Sequence, residues 1–361
     1  MRTGPCLVVV AVVGSLWGKT VSGQQELEVV GPRVLGENRP WTRLAGVATW
    51  SDGRVLVAEA TLPELTMFGE HGQVLWRSGQ RGAGPGEYRQ LAALRQCTNG
   101  DLLVRDGVLS RFDLLDEETG AVHEAWRDMA RGNVAGCQSA RDVYWLQQSG
   151  ERRALPSRGT TFVRERTLVR RRPDGTVDLL GVGTFETYMG GMVGTDYPVG
   201  GERAFFPIGD TAAYVCQGHT GECLLNGTIR VQLRLPDKAL TESAWQHAIR
   251  LRSQEVGAVR ESHRRELLRM YREIPRPKTF GRFEQAVADD RGRLWLKTYD
   301  TYGTGHARWV VYTAAGQAVA VLRLPEVFEL LLVRGNRLTG QVQDPEGVPT
   351  VHQYEVRPGG R

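Results

Sequence analysis

The amino-acid sequence predicts an all-β fold made of imperfect antiparallel repeats, each about forty residues long. Short segments rich in β-branched and aromatic residues recur along the chain and alternate with turn sequences, as expected of antiparallel strands. Several of these turns contain Asp-Gly or Asn-Gly pairs, which readily adopt the positive φ angles of tight hairpins. The repeats are too short and too rich in β-branched residues for a helical array, and parallel β-helices use much shorter coils.

The repeats can be followed in order from residue 44. In the first repeat, segments 44–50, 55–59, 65–68 and 74–76 read as strands, with turns at 51–54 and 70–73. The second begins at 91 and turns at 98–101, and the third begins at 134, has an insertion around 149–163 and turns again at 173–176. A weaker fourth repeat spans 202–235, the fifth spans 285–322 and the sixth spans 328–356.

The sixth repeat lacks an outermost strand, and segment 27–30 near the other end of the chain has the composition to supply it. Pairing the two chain ends would close a ring and leave only short, protected strand edges. We therefore expect a single six-bladed β-propeller of four-stranded antiparallel blades over residues 24–361.

One segment, at about residues 237–278, departs from the strand pattern. Its apolar residues recur at helical spacing, and Pro275 and Pro277 end it. The apolar positions are Trp245, Ile249, Val256, Val259, Leu267 and Tyr271, with His263 in the same series. We expect one or two helices inserted between the fourth and fifth blades, over one face or the rim of the ring.

The first 23 residues read as a secretory signal peptide, with Arg2, an apolar run at 6–13 and small residues before Gln24. An uncleaved anchor is the alternative, although the run is short for a membrane span. After processing we expect no transmembrane span and a periplasmic or secreted location.

Four cysteines remain after that segment, an even number that suits an oxidising compartment. Cys216 and Cys223 flank a turn-rich stretch that could close a hairpin, and Cys97 and Cys137 occupy equivalent positions in neighbouring repeats. Two disulfides, Cys216 with Cys223 and Cys97 with Cys137, are one interpretation, and four buried thiols are the other.

These repeat units resemble those of NHL-type and related exported bacterial six-bladed propellers. Residues 52–59 and 65–72 resemble the blade core and second turn of the NHL repeat, and 81–88 are similar to a glycine-rich loop between blades. The resemblance covers most of residues 27–358 apart from the helical insertion. It implies a fold but not one function, since such propellers include lyases, lactonases, dehydrogenases, sensor domains and binding scaffolds.

The resemblance to six-bladed lactonases also implies where a metal or ligand would bind, at the mouth of the central channel. The corresponding strand ends carry Glu59, Asp106, Gln147, Gln217, Asp300 and Gln343, and Lys297 ends the same strand of the fifth repeat. Glu59, Asp106 and Asp300 are the anionic members and form a possible Ca²⁺ set. The asparagines typical of those enzymes are absent from these positions, so a solvated polar mouth is the alternative, and no cofactor is predicted.

For acid–base chemistry the best single residue is His306, in a glycine-containing loop with Asp300 before it and Arg308 after it. The chain has neither a Gly-x-Ser-x-Gly elbow nor a His-Glu-x-x-His motif, which removes two common hydrolase classes. Catalysis is therefore the second hypothesis for this protein, as a metal-dependent lactonase or lyase.

Charge is concentrated on the predicted insertion. The formal net charge of the chain is +5, and Arg264, Arg265 and Arg269 belong to a basic stripe between 250 and 278. Such a stripe would suit a protein or an anionic glycan or small molecule, whereas intrahelical pairs with glutamates would make it an ordinary solvated face. We expect no nucleic-acid partner. The leading hypothesis is an exported binding or interaction module, and a structural subunit of an envelope complex is the third.

Overall fold

A computed structural model describes residues 24–36, 41–128, 132–154, 161–190, 193–196, 204–209, 212–255, 261–274, 276–344 and 347–359. The predicted signal peptide, residues 1–23, lies outside the described residues, as do Val256 and Val259. Within the described part the chain is all-β apart from two helices.

Antiparallel sheets follow one another along the chain, and we name them units I to VI. Unit I contains β2 (Leu44–Thr49), β3 (Val55–Glu59), β4 (Glu64–Phe68) and β5 (Val74–Ser78). A short parallel ribbon, β6 (Gln80–Arg81) and β7 (Glu87–Tyr88), leads to unit II. Unit II contains β8 (Leu91–Gln96), β9 (Leu102–Asp106), β10 (Arg111–Leu115) and β11 (Val122–Arg127).

The next two units differ in size. Unit III contains β12 (Asn133–Ser139), β13 (Asp142–Ala154), β14 (Thr161–Arg171), β15 (Val177–Gly190) and β16 (Val193–Asp196). Unit IV is smaller and contains β17 (Ala204–Phe205), β18 (Tyr214–Gln217), β19 (Glu222–Leu225) and β20 (Ile229–Gln232). The long hairpin of β13 and β14 contains much of the segment that the sequence marks as an insertion, 149–163.

The last two units are joined into one sheet by the first strand, β1 (Gln25–Leu35). Unit V contains β21 (Gln285–Ala288), β22 (Leu294–Lys297), β23 (His306–Tyr312) and β24 (Ala318–Pro325). Unit VI contains β25 (Glu329–Arg334), β26 (Arg337–Gln343) and β27 (Pro349–Pro358). β1 runs antiparallel to β27 and makes a short parallel contact with β24, so the beginning of the described chain completes unit VI.

Apolar clusters connect each unit to the next and connect unit VI back to unit I. Because a sheet must cover both of its apolar faces, each unit depends on two neighbours. Residues that share a cluster are Leu65 and Leu94 (I and II), Phe112 and Trp145 (II and III), Leu168 and Val215 (III and IV), Tyr214 and Leu296 (IV and V), Trp309 and Leu338 (V and VI), and Val351 and Val57 (VI and I). The fold is therefore propeller-like.

The first strands of units I and III closely approach the inner residues of the next unit at glycines. A Cβ atom on Gly46 would lie 2.7 Å from the carbonyl oxygen of Leu94, and one on Gly136 would lie 2.6 Å from Cγ2 of Ile208. Neither distance is tolerated by real side chains, so these two positions require glycine for packing.

The helices are α1 (Glu242–Glu255) and α2 (Glu261–Glu273), and both lie in the chain between β20 and β21. Thr241 precedes α1, and its hydroxyl accepts a hydrogen bond from the backbone N–H of Ala244, as an N-cap does. Trp245, Ile249, Leu267 and Tyr271, which the sequence assigns to one apolar face, are buried in a cluster of their own that also includes Phe280 and Tyr299. Among the described residues, no helix is long and apolar enough to cross a membrane.

Both predicted disulfides are confirmed. Cys97 and Cys137 are bonded with Cα atoms 4.7 Å apart, and they link the end of the first strand of unit II to the first strand of unit III. Cys216 and Cys223 are opposite each other on β18 and β19, within unit IV. Their presence agrees with an oxidising, extracytoplasmic compartment.

We expect the two disulfides to contribute unequally to stability. A disulfide stabilises the fold mainly by lowering the entropy of the unfolded chain, and the effect grows with loop length. The bond that spans 40 residues should therefore contribute about 4 kcal/mol to the free energy of unfolding, and the bond that spans 7 residues about 2 kcal/mol. Urea unfolding of Cys97→Ala/Cys137→Ala and Cys216→Ala/Cys223→Ala, each against the wild type, measures the difference. Equal losses, or a larger loss for the short loop, would contradict this order.

Arg33 of β1 fixes the strand that joins the chain ends. Its guanidinium donates to the carbonyl oxygens of Gly69 at 3.0 Å and Gly53 at 2.6 Å, and to Oε1 of Gln353 at 2.7 Å. The amide of Gln353 donates in turn to Oγ1 of Thr49 at 2.9 Å. One side chain thus ties β1 and β27 to the turns of unit I.

Replacing Arg33 should therefore weaken ring closure. We expect Arg33→Met to lower the free energy of unfolding by about 2 kcal/mol, because several charge-assisted hydrogen bonds are lost. Arg357→Met is the matched control, since Arg357 is exposed and pairs with Glu355 on the same strand. Urea denaturation should show a change of less than about 0.5 kcal/mol for this control. Equal effects of the two variants would contradict the role of Arg33.

Candidate functional site

The first strands of the units surround a central cavity of about 500 Å³. β2, β8, β12, β21 and β25 all contribute to its wall, and unit IV contributes the residues directly after β17. Volumes of this size are typical of small-molecule sites, which often lie where several elements converge. The cavity is the candidate functional site.

β-Bulges interrupt the first strand in units I, II, III and VI. The register shifts lie at Ala45, Ala92, Ala135 and Leu331. Three of these residues, Ala45, Ala135 and Leu331, line the cavity. A bulge adds one residue to a strand and redirects the side chains that follow, so the bulges help to decide which residues face the cavity.

Polar side chains collect where β21 and β25 begin, which we call the mouth of the cavity. Glu329 and Gln341 are opposite each other on the paired strands β25 and β26, and the Gln341 amide donates to Oε2 of Glu329 at 2.6 Å. Gln285 donates to the carbonyl oxygen of Leu330 at 2.6 Å, and Arg43 lies exposed just before β2, in the neighbouring unit I. The mouth therefore offers both hydrogen-bond donors and acceptors.

Charged groups also line the opposite end of the cavity, where the first strands end. Asp289 is fully buried, and its carboxylate accepts hydrogen bonds from Nε of Arg293 at 2.6 Å and from the indole of Trp295 at 2.9 Å. Asp290 accepts the backbone N–H of Gly335 at 2.9 Å. These two carboxylates serve the turn that follows β21 and the contact between units V and VI.

Arg95 of β8 differs from these carboxylates because all of its hydrogen-bond partners are uncharged. Its guanidinium donates to the carbonyl oxygens of Leu94 at 2.8 Å, Val134 at 2.9 Å and Ala135 at 3.2 Å. Burial lowers the pKa of Arg95 from its ordinary value. The side chain remains partly accessible because it borders the cavity.

Glu59, predicted as a ligand, instead holds the backbone of the cavity wall. It is 3% exposed, and its carboxylate accepts the N–H groups of Thr42 at 2.9 Å, Arg43 at 3.3 Å and Thr61 at 2.8 Å. A carboxylate with three backbone donors has little capacity left for a cation. Glu59 thus fixes the entry of the chain into unit I, where Arg43 reaches the mouth.

Asp106 has the same role in unit II. It is fully buried and accepts the N–H groups of Arg89 at 2.6 Å, Val108 at 2.8 Å and Leu109 at 2.8 Å. Like Glu59, it ends the second strand of its unit and ties the chain before the first strand to the turn after the second.

Unit V uses the opposite charge at this position. Nζ of Lys297, at the end of β22, donates to Oε1 of Glu284 at 2.9 Å and to the carbonyl oxygen of Glu326 at 2.8 Å. The buried carboxylate of Glu326 accepts the N–H of Gly303 at 2.6 Å and lies 3.3 Å from Nε2 of His247 on α1. Lys297 and Glu326 therefore anchor the loop after β22 and the helices on the mouth side of the ring.

The proposed acid–base group lies on the surface. Asp300 and Arg308 form an ion pair at 2.7 Å, and Thr298 also donates to the Asp300 carboxylate at 3.2 Å. His306 begins β23 with an exposed side chain, and neither it nor this ion pair lines the central cavity.

The remaining predicted ligands are dispersed. Gln147 is exposed in a separate recess of about 490 Å³ in unit III, Gln217 donates to the carbonyl oxygen of Val182 at 3.1 Å, and Gln343 lines the central cavity. Glu59, Asp106 and Asp300 are not assembled into one ligand set. In the described residues, no group of three or more His, Cys, Asp or Glu side chains is arranged to hold a metal ion.

The predicted basic stripe is at least partly neutralised. Arg269 pairs with Glu266 at 2.5 Å and with Glu273 at 3.2 Å, as the alternative interpretation expects. Arg265 is exposed on α2, and the side chain of Arg264 lies outside the described residues.

Sequence reasoning did not select Arg43, Arg95, Gln285 or Glu329 for the cavity. A signal existed, because each of them lies in or next to the first strand of a repeat, and first strands surround the axis of a propeller.

No protein-family model matches this chain, and no curated protein matches it. Similar solved structures include a member of the DUF4221 family from Bacteroides vulgatus, with a TM-score of 0.49 and 9% identity over 93% of this chain and 100% of that one. An inactive variant of virginiamycin B lyase from Staphylococcus aureus, solved with quinupristin, has a TM-score of 0.44 and 9% identity over 91% and 99%. Similarities this distant carry no information on the ligand or chemistry of this chain.

We expect Asp106→Asn to lower the free energy of unfolding by about 2 to 4 kcal/mol, because an amide group would face buried N–H donors. The loss should be the same in EDTA and in Ca²⁺. Asp300→Asn, in an exposed ion pair, is the control and should change stability by less than about 1 kcal/mol. Thermal and urea unfolding in both solutions provide the measurement, and Ca²⁺ stabilisation that depends on Asp106 would contradict the structural role.

Proposed function

We propose that this protein is an exported six-bladed β-propeller that binds a small ligand in its central cavity, with units I to VI as the blades. The observation that carries the proposal is the convergence of all six units on one cavity of about 500 Å³. Rigid strands hold the wall, and polar groups from several units face the same space, as small-molecule sites require.

The hydrogen bonds and ion pairs of the predicted acidic ligands favour a binding function over the lactonase or lyase alternative. The buried carboxylates of Glu59 and Asp106 are occupied by backbone N–H groups, and Asp300 is paired with Arg308 on the surface. None of the three is therefore held ready to accept a proton or a cation.

The helical insertion shapes the mouth side in this proposal. His247 of α1 lies 3.3 Å from Glu326, and its ring packs edge-on against Tyr302 with centroids 5.2 Å apart. Glu326 also accepts the N–H of Gly305 at 3.1 Å. The insertion would thus hold the loop after β22 in one position beside the cavity entrance.

Export is part of the proposal. Two disulfides support an oxidising compartment, and residues 1–23 have the sequence of a signal peptide.

Filling the cavity should abolish ligand binding. Ala45 lines the cavity, whereas Ala125 is exposed on the outer strand β11, so Ala45→Trp is the test variant and Ala125→Trp its matched control. Ligand-observed NMR with a defined panel of glucose, glucuronate, glucose 6-phosphate and glutamate measures binding. We expect at least one compound to bind the wild type and the control but not Ala45→Trp. Binding of no compound, or equal binding by Ala45→Trp, would overturn the proposal.

A further inference from the structure

We propose that the cavity selects a small hydroxylated organic oxyanion, a carboxylate or a phosphate ester, with Arg95 as its counter-charge. This inference rests on the proposed function and adds the chemical class of the ligand. Its basis is the position and the bonding of Arg95 in the cavity wall.

Arg95 uses only part of its bonding capacity. A guanidinium has five N–H donors, and three carbonyl oxygens accept from Arg95, those of Leu94, Val134 and Ala135. These bonds hold the planar group between units II and III. Donors remain on a side chain that borders the cavity, and paired N–H groups on a fixed plane match the two oxygens of a carboxylate or phosphate.

The charge of Arg95 is uncompensated within the described residues. Neither hydrogen bonds nor ion pairs connect it to a carboxylate there, and burial is the cause of its lowered pKa. Arginine nevertheless stays protonated in proteins. A cation that is largely desolvated in a cavity wall and has no counter-ion favours the entry of an anion.

Three carboxylates line the cavity, and two of them have side-chain partners other than Arg95. Asp289 is paired with Arg293 at 2.6 Å, and Glu329 accepts from Gln341 at the mouth. Asp290 accepts the N–H of Gly335 with Oδ2, and its buried Oδ1 has no hydrogen-bond partner among the described residues. Since none of the three carboxylates bonds to Arg95, its charge is available to a ligand.

The polar side chains at the mouth indicate the chemistry of the part of the ligand that does not contact Arg95. Gln285, Glu329 and Gln341 offer amide and carboxylate groups that can bond hydroxyls, while Arg95 lies toward the other end of the first strands. A molecule with an oxyanion at one end and hydroxyls at the other matches this distribution. Glucuronate and glucose 6-phosphate have that form, and glucose is their neutral counterpart.

The test compares glucuronate, glucose 6-phosphate and glucose by ligand-observed NMR at constant ionic strength. We expect at least one of the two anions to bind wild-type protein at least tenfold more tightly than glucose. Arg95→Met should remove this preference, and Arg77→Met, on the outer strand β5, should keep it. Preference for one anion over the other distinguishes a carboxylate ligand from a phosphate ester.

A second variant covers the case in which Arg95→Met fails to fold. Ala135 is partly exposed in the cavity wall, and its carbonyl oxygen accepts from Arg95 at 3.2 Å. Ala135→Asp keeps Arg95 and places a carboxylate beside it, so anion affinity should fall at least tenfold. Anion binding that survives Ala135→Asp or a folded Arg95→Met would overturn the inference.

Failure of the inference and failure of the proposed function give different results. If glucose binds as tightly as the anions and binding is lost in Ala45→Trp, the cavity binds ligands but Arg95 does not select them. If nothing binds in a manner sensitive to Ala45→Trp, the proposed function itself fails.

Discussion

Mutual burial between neighbouring sheets is the constraint on which this structure depends. Each unit has two apolar faces, and each face is covered by the next or the preceding unit, so no unit is complete alone. The contact between units VI and I has to be made by chain ends that are far apart in sequence. β1 and the bonds of Arg33 to unit I and to Gln353 make this contact. The cavity exists because the ring is closed.

Much of the architecture could be predicted from the sequence because turns and strand composition are local signals. The Asn-Gly turn after Cys97 and the Asp-Gly turn after Ser51 lie where hairpins form, and the composition of 27–30 predicted a strand that pairs with the last repeat. The two disulfides followed from equivalent positions and a short hairpin. Each of these predictions needed only local composition and position within a repeat.

The site was harder to predict because it depends on the direction of side chains and on their hydrogen-bond partners. A carboxylate at a strand end looks the same in sequence whether it binds a cation or backbone N–H groups, which is why Glu59 and Asp106 read as ligands. The orientation of Arg95 follows a bulge at Ala92, and a shift of one residue moves every later side chain to the other face. Neither property has a signature in one sequence.

The closing strand also has a consequence for the order of folding. β1 is synthesised before the rest of the ring, whereas β27, with which it pairs, is synthesised last. Arg33 and Gln353, which bond directly, are separated by 320 residues. Contacts of such long range slow folding because the loop entropy is lost before the contact is gained. The chain must therefore leave the β27 side of its first strand unpaired, with an open sheet edge exposed to other chains, until β27 has been synthesised and can reach it.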